Sequence, residues 1–196
     1  MIAIVDYGAG NLNSVEKAFD HLGAEVVVTD NPQLVTAADR IVLPGVGHFS
    51  SLLQLTTKGL RDGVLLGVSV GKPFLGICLG MQWLFDGSEE CGEIAGAGIF
   101  PGKCRRFPSS VKSPHVGWNS LNVQDGSRLL RNIGQYPFVY YTHSFHAPPV
   151  AAMAGESEHG VLFAGAVEQG NIFGVQFHPE KSGDVGLAIL KNFCEV

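Results

Sequence analysis

The residue with the sharpest chemical setting is Cys78, in Gly76-Ile77-Cys78-Leu79-Gly80-Met81-Gln82. An apolar run enters a cysteine with a glycine two residues before it and another two after, and a helical pattern follows. That is the strand-turn-helix setting of a nucleophile elbow, with Cys in place of Ser. The glycines leave room for a strained backbone that lifts the thiol at the strand end. A helix N-terminus favours its thiolate form, and the N–H of Leu79 points to where an oxyanion would develop. A buried core thiol is the other common use of such a residue.

Acyl transfer by a thiolate needs a base and a group that orients the base. Of seven histidines, only His178 follows an apolar strand pattern and has a carboxylate two residues on, in His178-Pro179-Glu180. Pro179 fixes its own φ and biases His178 to an extended conformation, so both side chains lie beyond the strand end, where Glu180 can hold one imidazole tautomer. Leu43-Pro44-Gly45-Val46-Gly47 ends another strand at the same sheet edge, and Gly45, Val46 and Gly47 could add N–H groups to an oxyanion hole. Other chemistry fails on spacing. Gly8-Ala9-Gly10 lacks the third glycine of a dinucleotide loop, since position 13 is Asn. His143 and His146 have no helical context and no third ligand, so neither a metal nor another cofactor is expected. Ser144 lacks elbow glycines and reads as a turn or substrate contact.

The elements that must position these groups are those of an α/β fold. The chain has 196 residues, the size of one domain (1–196), with 45% hydrophobic residues and 26 glycines. Only 16% are charged, against about 25% in an average soluble domain, which suits a parallel sheet covered on both faces. Thirteen basic and eighteen acidic residues give a net charge of -5 without a basic stripe, against nucleic acid or an anionic membrane as partner. The four cysteines form no disulfide framework or zinc spacing. The first ten residues read as a strand and turn rather than a signal peptide. The uncharged stretch 132–155 is interrupted by Pro137, Pro148 and Pro149, so no membrane span is expected; a cytoplasmic location follows as the default.

Strands are predicted at 2–5, 25–29, 40–43 and 73–77, with helices at 15–22, 49–60 and 79–85 between or after them, hence an open, mostly parallel sheet flanked by helices. Asn13 or Ser14 is the expected cap of the first helix, with Gly23 as its stop. Gly59, Gly63, Gly67 and Gly71 recur every four residues, and glycine's helix penalty favours an irregular segment there over a helix closely applied to the sheet. Beyond Gly92, short β pieces at 98–100, 103–107, 120–123, 138–142, 161–167 and 172–176 predict an antiparallel extension, and 184–193 a closing helix.

Taken together, Cys78 in its elbow and the distant Phe-His178-Pro-Glu180 resemble the class I (triad) glutamine amidotransferases, a flavodoxin-like fold. Within them, Asp6-Tyr7-Gly8-Ala9-Gly10-Asn11, the 43–47 loop, Pro114-His115-Val116-Gly117-Trp118-Asn119 and His178-Pro179-Glu180-Lys181-Ser182 resemble the glutaminase subunits of imidazole glycerol phosphate synthases, over nearly the whole chain. The resemblance implies a triad of Cys78, His178 and Glu180, and a glutamine pocket with Gln82 and Glu90 at the amino-acid end and His143-Ser144-Phe145 along the wall. It also implies a face made by Asn11, Trp118, Asn119, Tyr140 and Lys181 toward a (β/α)8-barrel cyclase partner. That partner would use the ammonia to make imidazole glycerol phosphate and aminoimidazole carboxamide ribotide in histidine biosynthesis. Such coupling keeps the isolated glutaminase nearly idle, with Val46 as the peptide expected to reorient on complex formation. Val116 stands where Met is usual, and His48 where a small residue is commoner. The same chemistry feeding another synthase, a cysteine peptidase-like hydrolase, and a scaffold with a relic triad are the competing readings.

Overall fold

In the computed structural model, which describes residues 1–196, the apolar runs of the first half become neighbouring strands of one sheet. β1 (Ile2–Val5), β2 (Val26–Thr29), β3 (Arg40–Gly45) and β4 (Phe74–Cys78) are parallel, and β13 (Ile172–Val175) joins them beside β4. Turning away from these, β12 (Leu162–Gln169), β11 (Met153–Glu158) and β8 (Asn122–Val123) complete the sheet with antiparallel pairs, in the order β2-β1-β3-β4-β13-β12-β11-β8. Strand order reverses at β1, which has β2 on one side and β3 on the other. In such sheets the crevice outside the carboxyl strand ends is where ligands bind.

Both faces of the sheet are covered. On one, α1 (Leu12–His21) and α6 (Gly183–Cys194) pack Val15, Phe19, Ile189 and Phe193 against Ile4, Leu75 and Phe173. On the other, α2 (Pro32–Ala37), α3 (Leu53–Thr57), α4 (Leu60–Ser69) and α5 (Leu79–Trp83) bury Val35, Leu55, Val64 and Trp83 against Leu43 and Phe74. Each such fully buried side chain is worth roughly 1.5–3 kcal/mol relative to exposure. Beyond the sheet, β5 (Gly87–Ser88), β6 (Lys103–Arg106) and β10 (Phe145–His146) form a small sheet, and β7 (His115–Ser120) pairs antiparallel with β9 (Phe138–His143).

Several local expectations are corrected. The glycine-repeat segment is helix: α4 contains Gly63 and Gly67, where a Cβ would lie 3.2 Å from the Pro32 carbonyl oxygen and 2.4 Å from Ile41 Cδ1. Close packing therefore outweighs helix propensity, while Gly59 (φ +69°) and Gly71 (φ +85°) punctuate its ends. The single helix expected at 49–60 is a 3₁₀ turn at Phe49–Leu52 followed by α3, cut off by Gly59. Residues 98–100 are not a strand, because the amides of Ile99 and Phe100 turn back onto the Leu84 carbonyl at 2.9 and 3.0 Å. α1 begins at Leu12 with Asn11 in the cap position, earlier than Asn13 or Ser14. α2, β7 and β11 were not anticipated in full; Asn31-Pro32, a cap that accepts from the Gln33 N–H ahead of a first-turn proline, is the signal for α2. No helix is long and apolar enough to cross a membrane.

Candidate active site

Cys78 closes β4 with φ 53° and ψ −102°, a conformation that non-glycine residues adopt only when their surroundings dictate it. Here the surroundings are glycines. A Cβ at Gly76 would fall 2.5 Å from the Gly80 carbonyl oxygen, and one at Gly80 only 1.8 Å from that of Leu43. The sharp turn brings α5 directly onto β4, and Cys78, 5% exposed, becomes the residue before its first turn, where backbone N–H groups lack intrahelical partners.

Sheet register delivers the neighbours. Gly45 pairs with Cys78 across β3 and β4, so the Gly45–Gly47 loop starts alongside the sulfur, with Val46 exposed and Gly47 at φ +117°. Gly10, after β1, packs against the Gly45 backbone; a Cβ there would be 3.3 Å from Gly45 Cα. On the other side, β13 pairs with β4 up to Val175 and Ile77, and two residues past Gln176 the chain reaches His178. The His178 amide donates to the Tyr140 carbonyl at 2.9 Å, anchoring the turn to β9.

His178 Nδ1 donates to Glu180 Oε1 at 2.7 Å, with both side chains 2% exposed. Nε2 and Glu180 Oε2 are buried without partners. Burial works against the imidazolium, but the Cys78 sulfur and the Glu180 carboxylate beside it outweigh burial and raise the imidazole to about 10. A cysteine sulfur, an imidazole held protonated and an orienting carboxylate thus meet at the carboxyl edge of the sheet. That trio can attack a carbonyl, protonate a leaving amine and activate a water.

A cleft of about 290 Å³ opens over the sulfur, lined by Val46, Gly47, Leu79, Gln82, Glu90, His143, Ser144 and Phe145 together with Cys78, Pro114 and Thr142. Every residue expected at the oxyanion hole or pocket wall lies there except Gly45, which is buried beneath. Glu90 Oε2 accepts the Phe49 N–H at 2.7 Å, and its Oε1 has no partner within the chain. The amide of Gln82 donates to the Phe145 carbonyl at 2.9 Å and to Gln176 Oε1 at 3.1 Å, which leaves its own oxygen to face the cleft as an acceptor. An acceptor oxygen and a carboxylate are the groups that would take a substrate's ammonium.

The expected partner face separates into two parts. Trp118 and Tyr140 sit opposite each other in β7 and β9, with ring centroids 6.0 Å apart, beside exposed Val116 and Phe138. Lys181 is exposed on the turn that carries His178, and Asn11 is exposed at the start of α1, its amide donating to Ser14 Oγ at 2.7 Å. Asn119 instead points inward, donating to the Glu158 carbonyl at 2.9 Å and reaching His115 Nε2 at 3.4 Å.

Three features were missed. Gln176, fully buried, donates to Cys78 Sγ at 3.5 Å; a lone Gln inside Ile172-Phe173-Gly174-Val175-Gln176-Phe177 was the available signal. Tyr7 buries a partnerless hydroxyl against Gly45, and burial, with the Cys78 charge adding to it, pushes its ionisation up. Behind the cleft wall, His143 belongs to a packed imidazole chain. Its Nδ1 donates to the Phe145 carbonyl at 2.9 Å, so its Nε2 accepts from His115 Nδ1 at 3.0 Å, and His115 stacks on His159 at 4.2 Å. Burial, reinforced by neighbouring imidazoles, holds His115 down to about 4 and His143 to about 3. Neither is a base for the cleft.

The family described as glutamine amidotransferase class-I matches residues 3–196. The imidazole glycerol phosphate synthase subunit HisH of Moorella thermoacetica is 46% identical over 198 residues, covering 100% of this chain and 94% of the relative. The subunit of the same name from Methanothermobacter thermautotrophicus is 45% identical, covering 100% and 98%. A solved glutamine amidotransferase structure superposes with a TM-score of 0.77 over 99% of this chain and 100% of the other, at 18% identity, a likeness of fold alone.

Proposed function

The chain belongs to the class I glutamine amidotransferase family, and we propose that it is the glutaminase subunit of an imidazole glycerol phosphate synthase, acting in histidine biosynthesis through Cys78, His178 and Glu180. Whole-length identity of 45–46% to HisH subunits supports the assignment. The observation that carries the chemistry is the meeting of a strained Cys78 with an imidazole raised to about 10 and braced by a carboxylate at 2.7 Å.

In this reading the Cys78 thiolate attacks the carboxamide carbon of glutamine. Negative charge moves onto the carbonyl oxygen, where the Leu79 N–H and the Gly45–Gly47 loop receive it. The C–N bond breaks as His178 gives its proton to the nitrogen, releasing ammonia and leaving a γ-glutamyl thioester. Neutral His178 then takes a proton from water, the hydroxide adds to the thioester, and the thiolate leaves as glutamate forms. Gln82 Oε1 and Glu90 hold the substrate ammonium, while Ser144 and Phe145 wall the cleft.

Ammonia released into neutral water becomes ammonium and loses its nucleophilicity, so its consumer must cover the site. Val116, Trp118 and Phe138, each 55–61% exposed, form an apolar strip on β7 and β9 that runs into the cleft at Thr142 and His143. This strip, with Tyr140, Lys181 and Asn11 at its rim, fits a cyclase subunit of (β/α)8-barrel form; Asn119 supports it from below. The Val46 peptide completes the oxyanion hole by reorienting once that subunit is seated. Glutamate release from glutamine, measured with and without a ligand-loaded cyclase subunit, tests the proposal. Release should rise steeply with the cyclase and vanish in Cys78→Ala; release indifferent to the cyclase would assign the ammonia to another synthase.

A further inference from the structure

Gln176 places an amide in an apolar run and wholly out of water. Such a group persists where its donors and acceptor are met, and this side chain has two neighbours. Its Oε1 accepts from Gln82 Nε2 at 3.1 Å, and its Nε2 donates to Cys78 Sγ at 3.5 Å. Chemistry dictates the orientation. The Phe145 carbonyl can only accept, so the end of Gln82 that meets it at 2.9 Å is the nitrogen. The same nitrogen meets Gln176, so the end of Gln176 it meets is the oxygen. The NH2 group is thereby left toward the sulfur. The same carbonyl meets His143 Nδ1 at 2.9 Å and makes that nitrogen a donor in turn.

We infer that Gln176 is a further catalytic residue: a locked amide donor on the nucleophile's sulfur that favours thiolate over thiol and holds it in place before substrate arrives. A thiolate is a far better acceptor than a thiol or a thioester sulfur. The donor therefore strengthens as the thiolate forms and again as it leaves the tetrahedral intermediate of thioester hydrolysis. It also ties the cleft wall to the nucleophile, because Gln82, which lines the cleft, sets the orientation of Gln176.

The inference rests on Cys78 as the nucleophile, and its test reads the sulfur rather than glutamine turnover. Loss of thiolate character in a Gln176 variant of a chain that releases no glutamate would uphold Gln176 and remove the glutaminase reading; the two fail separately. The other ionisable groups around the sulfur are His178 from the turn after β13, held on its far side by Glu180, Tyr7 from the turn after β1, Cys104 from β6, and Glu90 and His143 in the lining of the cleft. All are retained in Gln176→Met, which keeps the length without the donor, and in Gln176→Glu, which keeps the shape but directs a carboxylate at the sulfur. Iodoacetamide alkylation, read at the Cys78 peptide by mass spectrometry, should show its pH midpoint about one unit higher in Q176M, with alkylation about tenfold slower below the midpoint. The rise should be larger in Q176E. In the unsubstituted chain, the Gln176 side-chain amide resonances should move with the alkylation midpoint. An unchanged midpoint in either folded variant, or amide resonances indifferent to Cys78 ionisation, would overturn the inference.

Discussion

Glu180→Gln isolates the charge that holds His178 protonated. His178 Nδ1 and Glu180 Oε1 are 2.7 Å apart, in side chains 2% exposed. Glutamine has the same size and can still accept the Nδ1 hydrogen through its own oxygen, so the tautomer and the ring orientation survive. What disappears is the negative charge. Two unit charges about 4 Å apart at an effective dielectric of about 20 interact by about 4 kcal/mol. The advantage of a charge-assisted hydrogen bond over a neutral one is roughly 1–1.5 kcal/mol. These bracket the loss at roughly 1–4 kcal/mol, or about 1–3 pKa units. His178 in the variant should therefore titrate near pH 7–9, by that conversion roughly 1–3 units down, where the native imidazole is raised to about 10.

The direction in stability follows from the same shift. Because the folded value lies above the unfolded one, about 6.5, the contribution of His178 is complete below pH ~6.5. It is lost as pH climbs toward 10, and lost over a narrower range in the variant. The assay is a nitrogen-15 titration of the His178 ring in both chains, with urea midpoints at acidic and alkaline pH alongside. Equal ring midpoints in native and Glu180→Gln, or a native midpoint near 6.5, would refute the reasoning.

Gly80→Ala forces a Cβ to 1.8 Å from the Leu43 oxygen and should cost more than about 3 kcal/mol in urea unfolding or prevent folding. Gly92→Ala, with nothing within 4 Å of the new Cβ, should stay within about 0.5 kcal/mol. Trp118→Ala should leave chain stability nearly unchanged, since the ring is 56% exposed, yet weaken calorimetrically measured binding to a cyclase subunit by about 2 kcal/mol or more. His115 and His143 are held neutral, with values of about 4 and about 3 in the fold. Their contribution is complete above pH ~6.5 and lost as pH falls toward those values. Urea midpoints should drop between pH 7 and pH 4.5, and less so in His115→Asn.

The elbow was legible because its cause is local: glycines at positions 76 and 80 are needed by atoms within the same strand-helix turn and the adjacent strand. The His178–Glu180 pairing was legible for the same reason, a proline between two residues that share one turn. The parallel half of the sheet followed from buried apolar runs. What escaped depends on contacts between distant segments. Gln176 meets Gln82 and Cys78 from 94 and 98 residues away, so only its polarity inside an apolar run marked it. The stacking of His115 on His159 joins the start of β7 to the turn between β11 and β12, segments far apart in the chain. The glycine repeat in α4 was misread because its benefit, close approach to Pro32 and Ile41, lies outside its own segment.

The most direct test of the account is whether glutamine leaves its acyl group on Cys78. The chain, mixed with a ligand-loaded cyclase subunit and glutamine and quenched in acid, should carry the added mass of one γ-glutamyl group on the Cys78 peptide. The adduct should be absent in Cys78→Ala. Glutamate released while Cys78 remains unmodified at every quench time, or release that survives in Cys78→Ala, would contradict it.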